Sequence, residues 1–377
     1  MYCDKCGNQN IAYFGKDRFN HYYCRKCIEF NGASAQKVSK ESKTYTLSLD
    51  YPLSPKQSEL SKKIRESYSN HKNCLVYAVC GAGKTELVYE TILYALNNQK
   101  QVGFCIPRKD VVIELESRIK DAFKDAKVVS VYGGHSEVLT GDIILLTTHQ
   151  LYRYNNYFDL LIIDEADAFP YKNNLVLNHF FKRSIKGNYI MLSATPLEES
   201  IKEITQNNDT YLTLMTRYHN HPLVVPKVIV NPFLLKIYLI SYLYKFKKLN
   251  FPVFIFVPTI EEVETVYKLV SIFFKNGNYV HSKRNDRDKI IDDFKKGKYQ
   301  YLVTSSVLER GVTVKNLQVI VYKADDSIYD SSTLIQISGR VGRKIDAWDG
   351  NVIFLCQKNN SSINNALAKI KEANSYV

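Results

Sequence analysis

The sequence predicts two α/β domains in tandem, each with a parallel sheet covered by helices, preceded by a small cysteine-bearing module. From residue 51 onward, short runs rich in β-branched residues and leucine alternate with longer amphipathic segments, as in βα units. At roughly 150 residues per domain, the 377 residues also suit about two to three domains. Paired cysteines near the N-terminus stand apart from this pattern. These observations together give the fold class.

In chain order, we expect the module at 1–30, a polar linker at 31–50, the first α/β domain at 51–216 and the second at 217–377. The linker is small and polar and has no apolar run. A helix is expected over 85–96. Strands are predicted at 75–79, 102–106, 143–147, 160–163 and 189–192 in the first domain, and at 253–257, 301–304, 319–322 and 352–355 in the second.

Composition limits the class of protein. With 45% hydrophobic and 24% charged residues, the chain has the apolar content that a disordered chain lacks. A formal charge of +13 favours polyanionic partners, and charge alone leaves DNA, RNA and anionic lipid open. The most apolar stretch, 233–244, is shorter than the roughly 20 residues of a membrane span and is expected to be a core helix. With no secretory signal at the N-terminus, we expect a cytosolic protein without a transmembrane segment.

The module carries two Cys-x-x-Cys pairs, Cys3 with Cys6 and Cys24 with Cys27. This spacing lets four thiolates surround one ion, and it predicts a structural zinc site. His21 in place of one cysteine is the minor alternative. Two disulfides are disfavoured in a reducing compartment.

Aromatic and basic residues are interleaved around these cysteines. Such a mixture suits stacking on bases and pairing with phosphates, and it suits equally a miniature core with solvated charges. The residues are Tyr13, Phe14, Lys16, Arg18, Phe19, Tyr22, Tyr23, Arg25 and Lys26.

A phosphate-binding loop follows the first predicted strand, where the sequence is Gly81-Ala82-Gly83-Lys84-Thr85. A glycine-rich turn that opens a helix presents backbone N–H groups to phosphate. Lys84 is expected to reach the β- and γ-phosphates of a nucleotide, and Thr85 to bind Mg²⁺. Ala78 stands where this motif usually has its first glycine.

An acidic cluster, Asp164-Glu165-Ala166-Asp167, follows the predicted strand at 160–163. Beside a phosphate-binding loop, Asp164 is expected to bind Mg²⁺ and Glu165 to act as the general base for the attacking water. A solvated acidic turn is the alternative.

These motifs resemble those of helicase superfamily 2. Asp164 to Asp167 spell its DEAD box, and Ser193-Ala194-Thr195 matches its third motif. The fifth is matched from Thr304 through Gly311 to Thr313, and the sixth from Gln336 to Arg343. The resemblance implies two RecA-like domains with ATP bound between them. It also implies an arginine finger at Arg343, with Arg340 and Gln336 near the γ-phosphate and Gly311 at the nucleotide. For the two arginines, a basic helix start that neutralises local acids is the alternative.

The same resemblance implies further roles. Gln57 would read the adenine base, the alternative being a plain surface glutamine. Ser193 and Thr195 would couple the ATP site to the bound strand. Ends of predicted strands would grip single-stranded nucleic acid, the alternative being ordinary helix caps. These grip residues are Pro107, Arg108, Thr148, His149, Gln150, Thr259 and Thr304.

The four-cysteine module joined to this motif set resembles the ComFA family, the late-competence ATPases of bacterial transformation. The resemblance spans Cys3 to Arg343. It implies a motor at the inner face of the membrane that hydrolyses ATP on single-stranded DNA, with ComFC, DprA and the channel ComEC as partners. A primosomal or repair-type DNA helicase, an RNA helicase, and a zinc-dependent nucleic-acid-binding regulator are the alternatives.

Overall fold

The computed structural model describes residues 1–37, 42–49, 51–168, 170–305 and 314–377. The chain divides into two compact units. The first comprises Met1–Ala78 and Gly83–Leu214, and the second comprises Val79–Ala82 and Met215–Val377. Each unit contains a parallel sheet with helices, which confirms the predicted fold class.

The N-terminal module is built on a two-stranded antiparallel ribbon. Its strands are β1 (Phe14–Lys16) and β2 (Tyr22–Cys24), flanked by short 3-10 helices at Ile11–Tyr13 and Arg25–Cys27. One ribbon face packs inward through Phe14 and Cys24, which belong to a core cluster that continues into the first unit's sheet. The module therefore belongs to the first compact unit.

The first unit's large sheet has seven strands within the described residues, in the order β5-β6-β4-β7-β8-β3-β9, and every pairing is parallel. Most of its interior strands are largely apolar and buried, because both faces of the sheet are covered. The strands are β3 (Cys74–Ala78), β4 (Val102–Ile106), β5 (Val128–Val131), β6 (Ile143–Thr147), β7 (Phe158–Asp164), β8 (Ile185–Ser193) and β9 (Thr210–Leu214).

Two helices of the first unit begin at a side-chain cap, provided by Ser54 and by Asn174. Ser54 and Gln57 form a reciprocal capping box at the start of the first of them, with Pro55 at its first position. The predicted helix at 85–96 is divided at Val88. The helices are α1 (Pro55–Ser69), α2 (Lys84–Leu87), α3 (Tyr89–Asn97), α4 (Lys109–Ala122), α5 (Leu175–Ser184) and α6 (Glu198–Gln206), with a 3-10 helix at Thr148–Arg153.

The second unit has a six-stranded parallel sheet in the part of the chain that is described, ordered β10-β15-β14-β11-β13-β12. The strands are β10 (Lys227–Val230), β11 (Val253–Phe256), β12 (Gly277–Val280), β13 (Tyr301–Thr304), β14 (Gln318–Tyr322) and β15 (Val352–Cys356). The helices are α7 (Leu235–Lys248), α8 (Ile260–Phe273), α9 (Arg287–Lys295), α10 (Ser331–Ser338) and α11 (Ser361–Asn374). The apolar stretch predicted as a core helix forms most of α7, and its Leu235, Leu239 and Leu243 are buried.

The segment predicted as a linker is bound to the first unit along its described length. Residues 31–37 and 42–49, here called the docked segment, contain no helix or strand in these described ranges. The N–H of Ser48 donates to the carbonyl of Ala122 at 2.9 Å. Tyr45 is buried, and its N–H donates to Asn97 Oδ1 at 2.8 Å. The segment thus packs on the domain that follows it.

Among the described residues, no helix combines the length and the apolar character that crossing a bilayer requires.

Candidate nucleotide and nucleic-acid sites

The phosphate-binding loop leaves the carboxyl end of β3, and α2 begins at Lys84. Gly81 and Gly83 have φ of 83° and 75°, a left-handed conformation that glycine adopts without steric cost. Lys84 Nζ donates to the carbonyl of Ala78 at 3.1 Å. The ammonium group therefore lies over the concave side of the turn, where phosphates bind in loops of this type.

The acidic pair lies at the end of β7, two strands from β3 in the sheet. Glu165 has a φ of 57°, and its N–H donates to Asp164 Oδ1 at 2.8 Å. A left-handed conformation at a non-glycine residue costs about 1–3 kcal/mol and is concentrated at functional sites. The sharp turn places both carboxylates at the carboxyl edge of the sheet.

A buried hydrogen-bond cluster joins this turn to the neighbouring strand β8. Ser193 Oγ donates to Asp167 Oδ1 at 2.8 Å, and Thr195 Oγ1 donates to Asp167 Oδ2 at 2.6 Å. The Thr195 N–H also donates to Ser193 Oγ at 3.0 Å. All three residues are buried. The two predicted coupling residues thus share one carboxylate, and sequence reasoning had given Asp167 no role of its own.

Gln57 lies beside the phosphate-binding loop. A Cβ placed on Gly83 would be 2.5 Å from Gln57 Nε2, so the amide nitrogen faces the turn. Its Oε1 accepts from the Ser54 N–H at 2.9 Å. One amide atom therefore caps α1 and the other faces the loop.

The predicted grip residues of the first unit follow β4 and β6, which are adjacent strands. Pro107 and Arg108 follow β4, and Thr148, His149 and Gln150 open the 3-10 helix after β6. Arg153, the last residue of this 3-10 helix, joins it to the docked segment through its side chain. Arg153 Nε donates to Gln150 Oε1 at 2.6 Å, and Arg153 Nη1 donates to the carbonyl of Ala33 in the docked segment at 2.8 Å.

His149 packs against the module's tail. Its ring stacks on Phe30 with 6.2 Å between ring centroids, and burial lowers the pKa of the imidazole. Its stacking contact with Phe30 is that of a packing residue.

In the second unit, Thr304 ends β13, and Thr259 follows β11, the neighbouring strand of the same sheet. Thr259 caps α8 by accepting from the Glu262 N–H at 3.2 Å, and Thr304 Oγ1 donates to the Ser305 carbonyl at 3.0 Å. Gly311, with the rest of 309–313, lies outside the described residues.

Gln336 lies in α10, and Arg340 and Arg343 follow its C-terminus at Ser338. The alternative of a basic helix start therefore does not apply to these arginines. Gln336 and Arg340 are buried. Arg343 Nε donates to the Gly339 carbonyl at 2.9 Å, which folds its side chain back over the turn.

Arg217 organises this turn and was missed by sequence reasoning. It is 2% exposed, and its Nη1 and Nη2 donate to the carbonyls of Gly342 and Val341 at 2.5 and 3.0 Å. Burial lowers its pKa to about 10, so it remains charged at neutral pH. These bonds join residues more than 120 positions apart, and no local motif marks Arg217.

The four cysteines of the module form a candidate metal centre. The Sγ atoms of Cys3, Cys6, Cys24 and Cys27 all lie within 4.8 Å of one another. The Cys3–Cys27 and Cys6–Cys24 Sγ distances are both 3.7 Å, close to the roughly 3.8 Å between sulfurs around a tetrahedral zinc with Zn–S bonds of about 2.3 Å. His21 lies apart and pairs with Asp17.

Burial raises the pKa of Cys6 to about 11 and also raises that of Cys27. Buried thiols lose their protons when a soft cation supplies the compensating charge. Asn8 Nδ2 lies 3.6 Å from Cys24 Sγ and can donate to it, an outer-shell contact typical of metal thiolates. The donor set therefore fits zinc.

Two family profiles match the chain. "Type III restriction enzyme, res subunit" matches residues 50–198, and "Helicase conserved C-terminal domain" matches residues 235–344. A solved structure of Dbp5 from S. cerevisiae bound to RNA and ADP BeF3 is similar in fold, with a TM-score of 0.64 and 18% identity over 86% of this chain and 92% of that one. Together with the site geometry, these matches define a nucleic-acid-dependent ATPase of helicase superfamily 2.

Two curated relatives are each 33% identical to this chain over 99% of its length. They are the "Competence protein ComFA" of Bacillus subtilis, of which 85% is covered, and that of Streptococcus pneumoniae, of which 90% is covered. The chain belongs to the ComFA family.

Proposed function

We propose that this protein is a single-stranded DNA translocase that draws transforming DNA inward during bacterial competence. The observation that carries the proposal is one sheet edge, where Lys84 after β3, Glu165 after β7 and Ser193 at the end of β8 lie on adjacent strands. A phosphate-binding group, a water-activating acid and a coupling cluster thus share one edge. The competence role is supported by the name and near full-length coverage of the ComFA relatives.

In the proposed mechanism, Lys84 binds the β- and γ-phosphates of ATP, and Gln57 contacts the adenine. Thr85 and Asp164 hold Mg²⁺, which when bound neutralises charge on the transferring phosphate. Glu165 accepts a proton from the water that attacks the γ-phosphorus, and the bond to the ADP oxygen breaks.

The second unit supplies groups for the same reaction in this proposal. We assign Arg343 as the arginine finger, and Arg340 and Gln336 as contacts of the γ-phosphate. Arg217 acts as a positioning residue, because its two hydrogen bonds fix the turn that carries both arginines.

For the DNA strand, we assign phosphate contacts to the residues at the strand ends. Hydroxyls and backbone N–H groups at such positions bind phosphate without reading sequence. The contacts are Pro107, Arg108, Thr148, His149, Gln150, Thr259 and Thr304. We further propose a location at the cytoplasmic face of the membrane, with ComFC, DprA and the channel ComEC as partners.

ATP turnover should be highest with single-stranded DNA. The test is phosphate release titrated with single-stranded DNA, duplex DNA and RNA of equal length at fixed salt, since salt changes polyanion affinity by orders of magnitude. Stronger stimulation by RNA would contradict the DNA assignment. Binding of DNA without any stimulated turnover would favour a regulator.

Replacing Ser193 and Thr195 together by Ala should uncouple hydrolysis from movement. Because Asp167 then loses both hydroxyl donors, DNA movement should fall about tenfold more than ATP hydrolysis, within the usual range of coupling energies. Streptavidin displacement from biotinylated single-stranded DNA, measured beside phosphate release, checks this. Thr205→Ala on the exposed face of α6 is the matched control. Equal loss of both activities would refute the coupling role.

A further inference from the structure

The β1–β2 ribbon has two different faces. Phe14 pairs with Cys24 and faces the interior, and the next pair, Gly15 with Tyr23, faces outward because side chains alternate along a strand. Tyr23 is 37% exposed. The inner face thus holds the thiol cluster, and the outer face presents an aromatic ring.

The ring tip of Tyr23 lies next to Gly15, its partner across the ribbon. A Cβ placed on Gly15 would be 2.8 Å from Tyr23 Cζ and 3.1 Å from Arg25 Nε. The tip of the ring and the guanidinium group therefore lie against Gly15, and a larger residue at this position would displace them. The exposed part of the Tyr23 ring is accessible to a planar ligand.

Basic side chains lie close to the exposed aromatic residues of the ribbon and its flanks. Lys26 Nζ lies 4.4 Å from the ring centroid of Tyr13, which is itself 42% exposed. Between residues 13 and 27 the sequence has four lysines and arginines and a single acid, Asp17. The Asp17 carboxylate already accepts hydrogen bonds from the N–H groups of Phe19 and His21. The outer face is therefore positively charged as well as aromatic.

We propose that this outer face, here called the ribbon platform (Tyr13, Gly15, Tyr23, Arg25 and Lys26), is a binding site for single-stranded DNA outside the strand-end contacts described above. Tyr23 stacks on one base, and Arg25 and Lys26 bind the phosphates on either side. The inference rests on the proposed function in taking single-stranded DNA as the ligand. Stacking on an open aromatic face tolerates any base, which suits a protein that moves along DNA of arbitrary sequence.

The first test leaves the protein unmutated. Binding of the full-length, metal-loaded chain is measured by fluorescence anisotropy with a fluorescein-labelled thymidine oligonucleotide and with an abasic oligonucleotide of equal length and charge. Stacking requires a base, whereas phosphate contacts do not, so the platform predicts about tenfold weaker binding of the abasic strand per stacked base lost.

Variants then locate the effect. Tyr23→Ala should weaken thymidine-strand binding about tenfold and abolish the preference over the abasic strand, whereas Tyr23→Phe should keep both. Gly15→Val, which displaces the ring, should resemble Tyr23→Ala.

Replacing Arg25 and Lys26 by Gln should reduce the slope of log K against log salt by about 1.4, because each of the two lost phosphate contacts on a single strand contributes about 0.7 to that slope. Phe19→Ala, an exposed aromatic change outside the platform, is the control.

Metal content is measured for every variant, so that loss of the module's fold is not taken for loss of stacking. If wild-type hydrolysis is stimulated by single-stranded DNA while Tyr23→Ala keeps the full base preference, the platform is refuted and the proposed function stands. If single-stranded DNA does not stimulate wild-type hydrolysis, the proposed function fails. Tighter, Tyr23-dependent binding of an equal-length RNA would overturn the choice of DNA as the ligand.

Discussion

Replacing Glu165 by Gln is expected to lower ATP turnover about a thousandfold, within the range of 10²–10⁴ typical of a lost general base. The amide keeps the shape of the side chain but cannot accept a proton from water. Because Lys84 and the phosphate-binding loop are untouched, ATP binding should persist. Single-turnover phosphate release and equilibrium binding of a fluorescent ATP analogue measure the two properties separately.

Two further variants make this result specific. Lys84→Ala should lose nucleotide binding as well as turnover, because it removes the ammonium group that we propose contacts the phosphates. Glu137→Gln, a change at an exposed acid, serves as the control. Wild-type turnover by Glu165→Gln, with its unfolding temperature unchanged, would show that the general base lies elsewhere.

Metal removal should have the second large effect. Cys24→Ser removes a buried thiol of the candidate metal centre, whose Sγ lies 3.7 Å from that of Cys6. We expect loss of about one zinc per chain and unfolding of the ribbon, because the binding free energy of a structural zinc is largely folding free energy. Metal analysis and titration of reactive thiols check this. The remaining three cysteines of the cluster should then react with a thiol reagent.

Cys356→Ser is the matched control, because this buried thiol lies outside the cluster and should leave metal content unchanged. Full metal occupancy in Cys24→Ser would contradict the four-thiolate site. So would a wild-type protein purified without metal whose four module thiols remain unreactive.

The interior strands could be predicted from sequence, whereas the edge strands could not. All nine predicted strands lie in the two large sheets, and the strands that pattern reasoning missed there are β5, β9, β10 and β12, the four outermost ones. An interior strand is covered on both faces and becomes a continuous apolar run. An edge strand is partly solvated and short, so it mixes polar and apolar residues, as Lys227–Val230 does.

Some residues of the candidate site could likewise be predicted from sequence, and others could not. Lys84, Asp164 and Glu165 follow predicted strands, so the carboxyl edge of a parallel sheet could be inferred from local motifs. The roles of Arg217 and Asp167 depend on hydrogen bonds that the fold creates between distant segments. The docked segment was expected to be a linker because it is small and polar. Its attachments at Ala35 and Ser48 use backbone N–H groups, which leave no pattern in the side chains, so its docking could not be predicted.

Attachment of the docked segment also affects how the ATPase core can be studied by deletion. Cutting the chain before α1 would strip Phe30 from Phe180, whose ring centroids are 4.9 Å apart, and would leave the Ala122 carbonyl without its partner at Ser48. A shortened protein would therefore expose an apolar surface that is buried in the intact chain, and it would tend to aggregate. Substitutions on the ribbon are therefore a better way than deletion to separate the ligands that the N-terminal region binds from the apolar surface that it covers.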